Sequence, residues 1–395
     1  MRKIVVGIMV LFVLCAGAGA RMAEVWTKTF PLEAENAELA GDIGVEWKGN
    51  GFYLTGLKCV PEGTNTRGTV AVRKLDADGK VIWKQICDIG LGGVDSKNTL
   101  AVDASNNVFV GGYKYVGRNG RNAWIRKYDQ NGNVLWDRTW ENLYGSRDAK
   151  IMDLETSPDG SLYAVGYKNT DNLVRELWIR RYDLDGNELW SNAYGSSVSP
   201  NEQEQGLTVD ISGNAYVAAY QDGDNQEVYL SVKRYGPDGT LQKAMRFPDN
   251  RVRARAVSEI AVDAAGNIYI LGSESVFYQG RNIFVRKISP AGGNLWSISY
   301  PNTGYQHFGG NGIKLDKDMN LYVSATGSGE KNEKKYSWIS KLDSDGNELA
   351  TMDYFGYAFG VDFSVGRNSD IYVMGNSADA CGFAEIWVKK YAQIP

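Results

Sequence analysis

Histidine is almost missing from this chain: there is one, His307, in 395 residues. A Ser-His-Asp or Cys-His catalytic arrangement would have to be built on that single imidazole. No group of His and Cys has the spacing of a metal site, and no glycine-rich loop stands at a helix start to cradle a phosphate. No cofactor and no bound metal are therefore expected. After the first twenty residues no stretch approaches the roughly 20 apolar residues that a membrane span needs. Basic residues are not in excess either. The formal net charge of −4 argues against nucleic acid or an anionic membrane as partner. Linkers and low-complexity segments are also absent.

The first twenty residues read as an export signal. Arg2 and Lys3 give a basic start, Ile4 to Leu14 an apolar core, and Ala18-Gly-Ala20 a small-residue cleavage site before Arg21. Cys15 raises a lipoprotein reading, but the bulky Leu14 before it disfavours lipid attachment. Residues 21–395 are expected to form one domain outside the cytoplasm, secreted or periplasmic, and monomeric.

What fills the mature chain is repetition. Trp124-Ile-Arg-Lys-Tyr-Asp-Gln-Asn-Gly-Asn-Val-Leu-Trp136 reads as two strands joined by a tight turn. Aligned copies start at residues 71, 124, 178, 231, 284 and 338, spaced 53 or 54 apart. Such a period outranks local propensity. Each hairpin follows a second strand–turn–strand, as in Ala101-Val-Asp-Ala-Ser-Asn-Asn-Val-Phe-Val-Gly111 and in 261–272. One repeat is thus four antiparallel strands, A to D. The last copy, Trp387 to Tyr391, supplies strand C without strand D, and Val25-Trp-Thr-Lys-Thr-Phe30 matches the missing strand. The expected fold is all-β: a seven-bladed β-propeller of four-stranded antiparallel blades, closed by the N-terminal strand pairing with the C-terminal blade.

Residues 261–272, 101–111, 124–136 and 178–190 resemble the bacterial seven-bladed β-propeller (SBBP) repeat family. In copies 4 and 6, Leu241 and Leu349 are read as replacing the strand-D Trp, and Ser231 as replacing the strand-C Trp. The resemblance implies a fold and an extracytoplasmic habit, and no single activity.

Three cysteines follow the leader. Cys59–Cys381 would reinforce ring closure and Cys59–Cys87 competes with it; the sequence leaves the pairing open. The Trp residues recurring in register are expected to pack between blades. The repeated basic pairs (Arg126-Lys127, Arg180-Arg181, Lys389-Lys390) are expected to meet acids within or between blades. Asp183-Leu-Asp-Gly and Asp343-Ser-Asp-Gly read as hairpin turns whose Asp caps its own backbone, rather than as calcium loops.

In this topology the A–B and C–D turns share one face and are short, while the B–C and D–A loops share the other and are long. The long-loop face is the expected binding face. Its candidate contacts are Tyr144, Arg147, Asp148, Tyr194, Arg253, Arg255, Tyr305, His307 and Tyr357, aromatics beside polar groups that suit a carbohydrate or an extracellular protein. The function read from this is a binding or scaffold module. The alternative is a polysaccharide-directed hydrolase or lyase on the same face, with Asp148 and Glu202 or Glu204 as a candidate carboxylate pair.

Overall fold

In the computed structural model, the described residues are 21–394 apart from 31–37, 63–64, 92–97, 117–119, 141–147, 171–174, 198–204, 223–227, 249–254, 277–279, 302–306, 329–335, 356–358 and 379–383. They form 28 strands in seven four-stranded antiparallel sheets. The first strand, β1 (Arg21–Phe30), belongs to the last sheet. Blade 1 is β2 (Glu38–Val45), β3 (Phe52–Glu62), β4 (Asn65–Leu75) and β5 (Val81–Leu91). Blade 2 is β6 (Thr99–Val102), β7 (Val108–Val116), β8 (Gly120–Tyr128) and β9 (Val134–Trp140). Blade 3 is β10 (Ala149–Thr156), β11 (Leu162–Asn169), β12 (Arg175–Tyr182) and β13 (Glu188–Ser197). Blade 4 is β14 (Gln205–Val209), β15 (Ala215–Asp222), β16 (Val228–Tyr235) and β17 (Leu241–Pro248). Blade 5 is β18 (Arg255–Val262), β19 (Ile268–Val276), β20 (Gly280–Ile288) and β21 (Asn294–Tyr300). Blade 6 is β22 (His307–Leu315), β23 (Leu321–Ser328), β24 (Tyr336–Leu342) and β25 (Glu348–Phe355). Blade 7 is β26 (Phe359–Val365), β27 (Ile371–Ala378) and β28 (Ala384–Ile394), completed by β1.

The innermost strands β2, β6, β10, β14, β18, β22 and β26 touch in that order, and β26 returns to β2, so the ring is closed. β1 zips onto β28 from Arg21↔Ile394 to Phe30↔Ile386. The seven-bladed reading of the sequence is therefore correct, including the blade assembled from both ends. No helix occurs among the described residues.

The alternation of apolar residues places the core between blades. Seven clusters of buried side chains each draw on two neighbouring blades: Tyr53, Val70 and Val72 of blade 1 pack on Val108, Val110 and Trp124 of blade 2. Cys87 lies in that cluster as a free, buried thiol, and burial pushes it up to about 11. This corrects the Cys59–Cys87 alternative. β4 separates β3 from β5, so Cys59 and Cys87 are two strand spacings (about 9–10 Å) apart, beyond the reach of a disulfide. Cys381 and the Cys59 side chain lie outside the described residues.

The strand-C aromatic faces a small residue on strand B. Trp124 opposes Gly112, Trp178 Gly166, Phe284 Gly272 and Trp387 Gly375. A Cβ at Gly166 would sit 2.5 Å from the Trp178 ring, so the glycine makes the space that the indole fills. Blade 4 replaces both partners together: Ser231 opposes Ala219.

Candidate functional site

Three surfaces could carry a function: the short-turn face, the long-loop face, and the wall of the central channel.

The short-turn face is occupied by bonds between blades. Each strand-D Trp donates its indole N–H to the carbonyl of the second residue in the C–D turn of the next blade. The pairs are Trp26 to Ala77 at 3.1 Å, Trp83 to Gln130 at 3.0 Å, Trp136 to Leu184 at 3.0 Å, Trp190 to Pro237 at 3.0 Å and Trp296 to Ser344 at 3.1 Å. The turn glycine beneath each ring has a left-handed φ, +79° at Gly186, and a Cβ there would meet the Trp136 indole at 2.8 Å. Only glycine satisfies both demands.

The register corrects one reading of the sequence. The strand-D Trp position opposes the second basic residue of strand C, as in Trp136↔Lys127. In blades 4 and 6 that position holds Lys243, opposite Arg234, and Ala350, opposite Lys341, not Leu241 and Leu349. Lys243 keeps the bond, donating its ammonium to Pro290 O at 2.8 Å. Ala350 has nothing to reach, because blade 7 takes strands C and D from two distant segments and has no C–D turn.

The repeated basic residue is fixed with equal regularity. Lys74, Lys127, Arg181, Arg234, Lys287, Lys341 and Lys390 each lie over the strand-B ring of their own blade, at 4.7–5.5 Å from its centre. In blades 1–4, 6 and 7 the same cation also meets an acid of the A–B turn. The Asp residues of the C–D turns cap their own backbone. Asp183 Oδ1 accepts from the N–H of Asp185 and Asn187, and Oδ2 accepts from Asn187 Nδ2. These carboxylates are engaged within their turns, and no group of three or more metal-ligating side chains occurs among the described residues.

On the long-loop face, Asp148 bridges β8 and the start of β10. It makes an isolated pairing with Arg121, whose Nε lies 3.8 Å from its carboxylate. The Arg121 guanidinium also covers the Tyr113 and Tyr115 rings at 5.0 and 5.5 Å. Tyr113 is itself buried, so the surface here is Tyr115, Arg121 and Asp148, between blades 2 and 3. Tyr194 does not join it. It is only 3% exposed, in the core between blades 3 and 4, and its carbonyl accepts from Gln221 and Lys233. Its ring is therefore packing material rather than a surface contact. Tyr144, Arg147, Arg253, Tyr305, Tyr357 and Glu202 and Glu204 lie outside the described residues. Arg255 opens β18 opposite Glu274 and His307 opens β22 opposite Ser328, and for these two only the backbone is described.

The channel wall carries residues that the sequence reading missed. Asp42, Asp153, Glu155, Glu259, Lys314 and Asp362 all project from innermost strands. Each keeps some surface toward the channel, with Lys314 and Glu259 side chains 36% and 18% exposed, yet protein surrounds them on all sides. Burial drives the Asp42 carboxyl well above its ordinary range, and Asp362 beside it adds to the effect. Asp153 is raised by burial and then by Glu259 and Glu155. Burial pushes Glu155 up to about 7. Burial also raises Glu259, against the pull of Lys314. Burial opposes the Lys314 charge, but Glu259, to which it is hydrogen bonded, together with Asp362 and Glu155, outweighs that and holds the ammonium firmly protonated.

These acids also serve the backbone. The inner edge of each blade has no further strand to pair with, so its N–H groups need other acceptors. Asp42 Oδ2 accepts from Leu100 N of blade 2 at 2.7 Å, Asp153 Oδ2 from Leu207 N of blade 4 at 3.0 Å, and Glu259 Oε2 from Ile313 N of blade 6 at 2.7 Å. Strand bulges next to Asp42, Asp153 and Glu259 re-aim them across the blade boundary.

No protein-family model and no curated protein matches the chain. Among solved structures it is similar to an ulvan lyase, a polysaccharide lyase, with a TM-score of 0.56 at 10% identity, covering 89% of this chain and 93% of that one. A structure of ulvan lyase bound to a GlcA(1-4)Rha3S unit gives 0.55 at 10% identity. A protein of unknown function from Dyadobacter fermentans gives 0.51 at 11%, covering 95% of this chain and 100% of that one. At these identities the likeness concerns the fold.

Proposed function

We propose that this chain is an extracytoplasmic binding or scaffold propeller of the SBBP-repeat type, taking a carbohydrate or an extracellular protein on its long-loop face. The observation that supports this reading is the contrast between the two faces. On the short-turn face the indoles, cations and turn acids are consumed by contacts within and between blades. On the other face, Arg121 and Asp148 stand beside the part-exposed Tyr115, above the buried Tyr113 ring, a grouping that sets one aromatic surface beside directed polar groups. The test is a thermal-shift screen of residues 21–395 against oligosaccharides and peptides, since a ligand that binds only the folded state raises the midpoint. Asp148→Ala should abolish the shift of any ligand found. A shift unchanged in that variant removes this patch from the site.

One observation favours a polysaccharide-directed enzyme as the second reading. Glu155, at about 7, is poised for proton transfer near neutrality. Product analysis on the same mixtures separates the two: chain shortening lost in Glu155→Gln identifies an enzyme, and intact saccharide a binder.

A further inference from the structure

The acids of the channel wall follow a rule that a ring of seven cannot obey throughout. On each innermost strand, one residue precedes the core side chain at the equivalent register position (Ile43, Leu100, Leu154, Leu207, Ile260, Ile313, Phe363). In blade order it is Asp42, Thr99, Asp153, Gly206, Glu259, Gly312 and Asp362. Acid and non-acid alternate. The aspartates use one oxygen on their own following N–H: Asp42 on Ile43 at 2.7 Å, Asp153 on Leu154 at 2.8 Å and Asp362 on Phe363 at 2.8 Å. Asp42, Asp153 and Glu259 place the other oxygen on the N–H of the next blade, which is available because that blade has no acid of its own.

Seven is odd, so the alternation must fail once. It fails where blade 7 meets blade 1, because Asp362 is followed by another acid blade. The Ile43 N–H that Asp362 would otherwise cap is already taken by Asp42 Oδ1. Asp362, with Oδ1 on its own Phe363 N–H, is left beside the Asp42 carboxyl on the adjoining innermost strand. Two ionised carboxylates have no donor between them, so such a contact requires a proton on one.

We propose that one proton shared between Asp42 and Asp362 is a built-in part of the joint between blades 7 and 1, and that this joint loosens as the pH rises. Other contacts hold the joint as well. Asn376 bonds Ala40 N and Glu38 O, Trp26, Phe52 and Tyr372 stack, and Glu38 is held by Arg73. Facing the pair, β22 presents Lys314, already bonded to Glu259. β3 presents the Thr55 hydroxyl, which accepts from Asp42 N, and β6 presents the Leu100 N–H. The burial that raises Asp42 sets the direction. A group whose folded value is raised contributes stability below its ordinary value, near 4 for Asp, and loses it as pH climbs toward the folded value.

The test compares wild-type chain with Asp362→Asn, whose amide N–H permanently supplies what the shared proton supplies. Thermal midpoints should agree at low pH, where the wild-type pair holds its proton, and the variant should melt several degrees higher at high pH, once wild type has lost it. A gap between the two proteins that is the same at both pH values overturns the proposal. Carboxyl-carbon NMR titration of the wild-type chain tests the same point without any variant. One proton retained by the pair above pH 6 supports the proposal, and two carboxylates ionised at ordinary values overturn it.

Discussion

The outer rim and the inner wall of this ring both join one blade to the next, and they do so under different arithmetic. At the rim, a donor on strand D reaches a carbonyl in the turn of the following blade, and a blade can be donor and acceptor at once, as blades 1 to 5 are. That device is indifferent to the number of blades. At the wall, an acid occupies its own N–H and then its neighbour's, so blades fall into acid and non-acid partners. That device suits an even count. A rim can be copied indefinitely by duplicating a repeat, whereas a wall built in pairs leaves one joint unlike the rest.

The difference can be broken or sharpened by substitution. The largest effect is expected at the rim. Trp136→Ala removes an indole that is 8% exposed together with its bond to Leu184, and should cost about 3–5 kcal/mol in denaturant unfolding. On the wall, Asp153→Ala orphans the N–H of both Leu154 and Leu207. The expected cost is about 1–3 kcal/mol for each buried donor, and Asp153→Asn, which keeps one acceptor, should recover part of it. A third experiment separates the two regions by pH. Glu155, at about 7 in the folded chain against about 4.5 when unfolded, favours folding when protonated. Its contribution is complete below about pH 4.5 and is lost as pH rises to about 7. The rim acids Asp129, Asp183 and Asp343 are held below their ordinary range by hydrogen bonds to turn amides, so they are silent in that window. Glu155→Gln should flatten the midpoint-versus-pH curve there, and an Asp183→Asn chain should keep the wild-type slope. The smallest effect is expected at the substituted latch. Lys243→Ala loses one solvent-exposed hydrogen bond to Pro290, roughly 0.5–1 kcal/mol by chemical denaturation.

Much of the rim was legible in the sequence. The recurrence of Trp, Gly and the basic pair every 53 or 54 residues follows from a bond that joins one blade to the next from blade 7 round to blade 6. The blade count was legible too, because Val25-Trp26 carries the strand-D signature before any strand C has appeared. What misled was a one- or two-residue offset after the turn glycine. Leucine looked like the natural substitute for tryptophan, but the bond needs a donor, and Lys243 supplies one. Tyr194 misled for a related reason: strand β13 runs further than its sequence suggests, and the ring falls inside the core. The wall was not read at all. Asp42-Ile, Asp153-Leu, Glu259-Ile and Asp362-Phe share the pattern of an acid before a core residue on strand A. From blade 1 to blade 7 the signal is visible only when copies are compared two blades apart, because successive blades along the chain do not share it.

The interleaving of β1 with β28 governs how the ring comes into being. Strands within a blade, and blades in sequence, find partners within about one repeat along the chain. The pair formed by Glu24 and Lys389, 365 residues apart, closes the whole molecule. Loop entropy grows only logarithmically, so this closure costs about 2 kcal/mol more than joining residues one repeat apart. Equilibrium therefore tolerates the arrangement easily. Kinetics is more demanding, since β1 is synthesised long before β28 and must wait for it with an unpaired edge. A chain emerging in order is an open arc of blades until β28 arrives, and only then a ring.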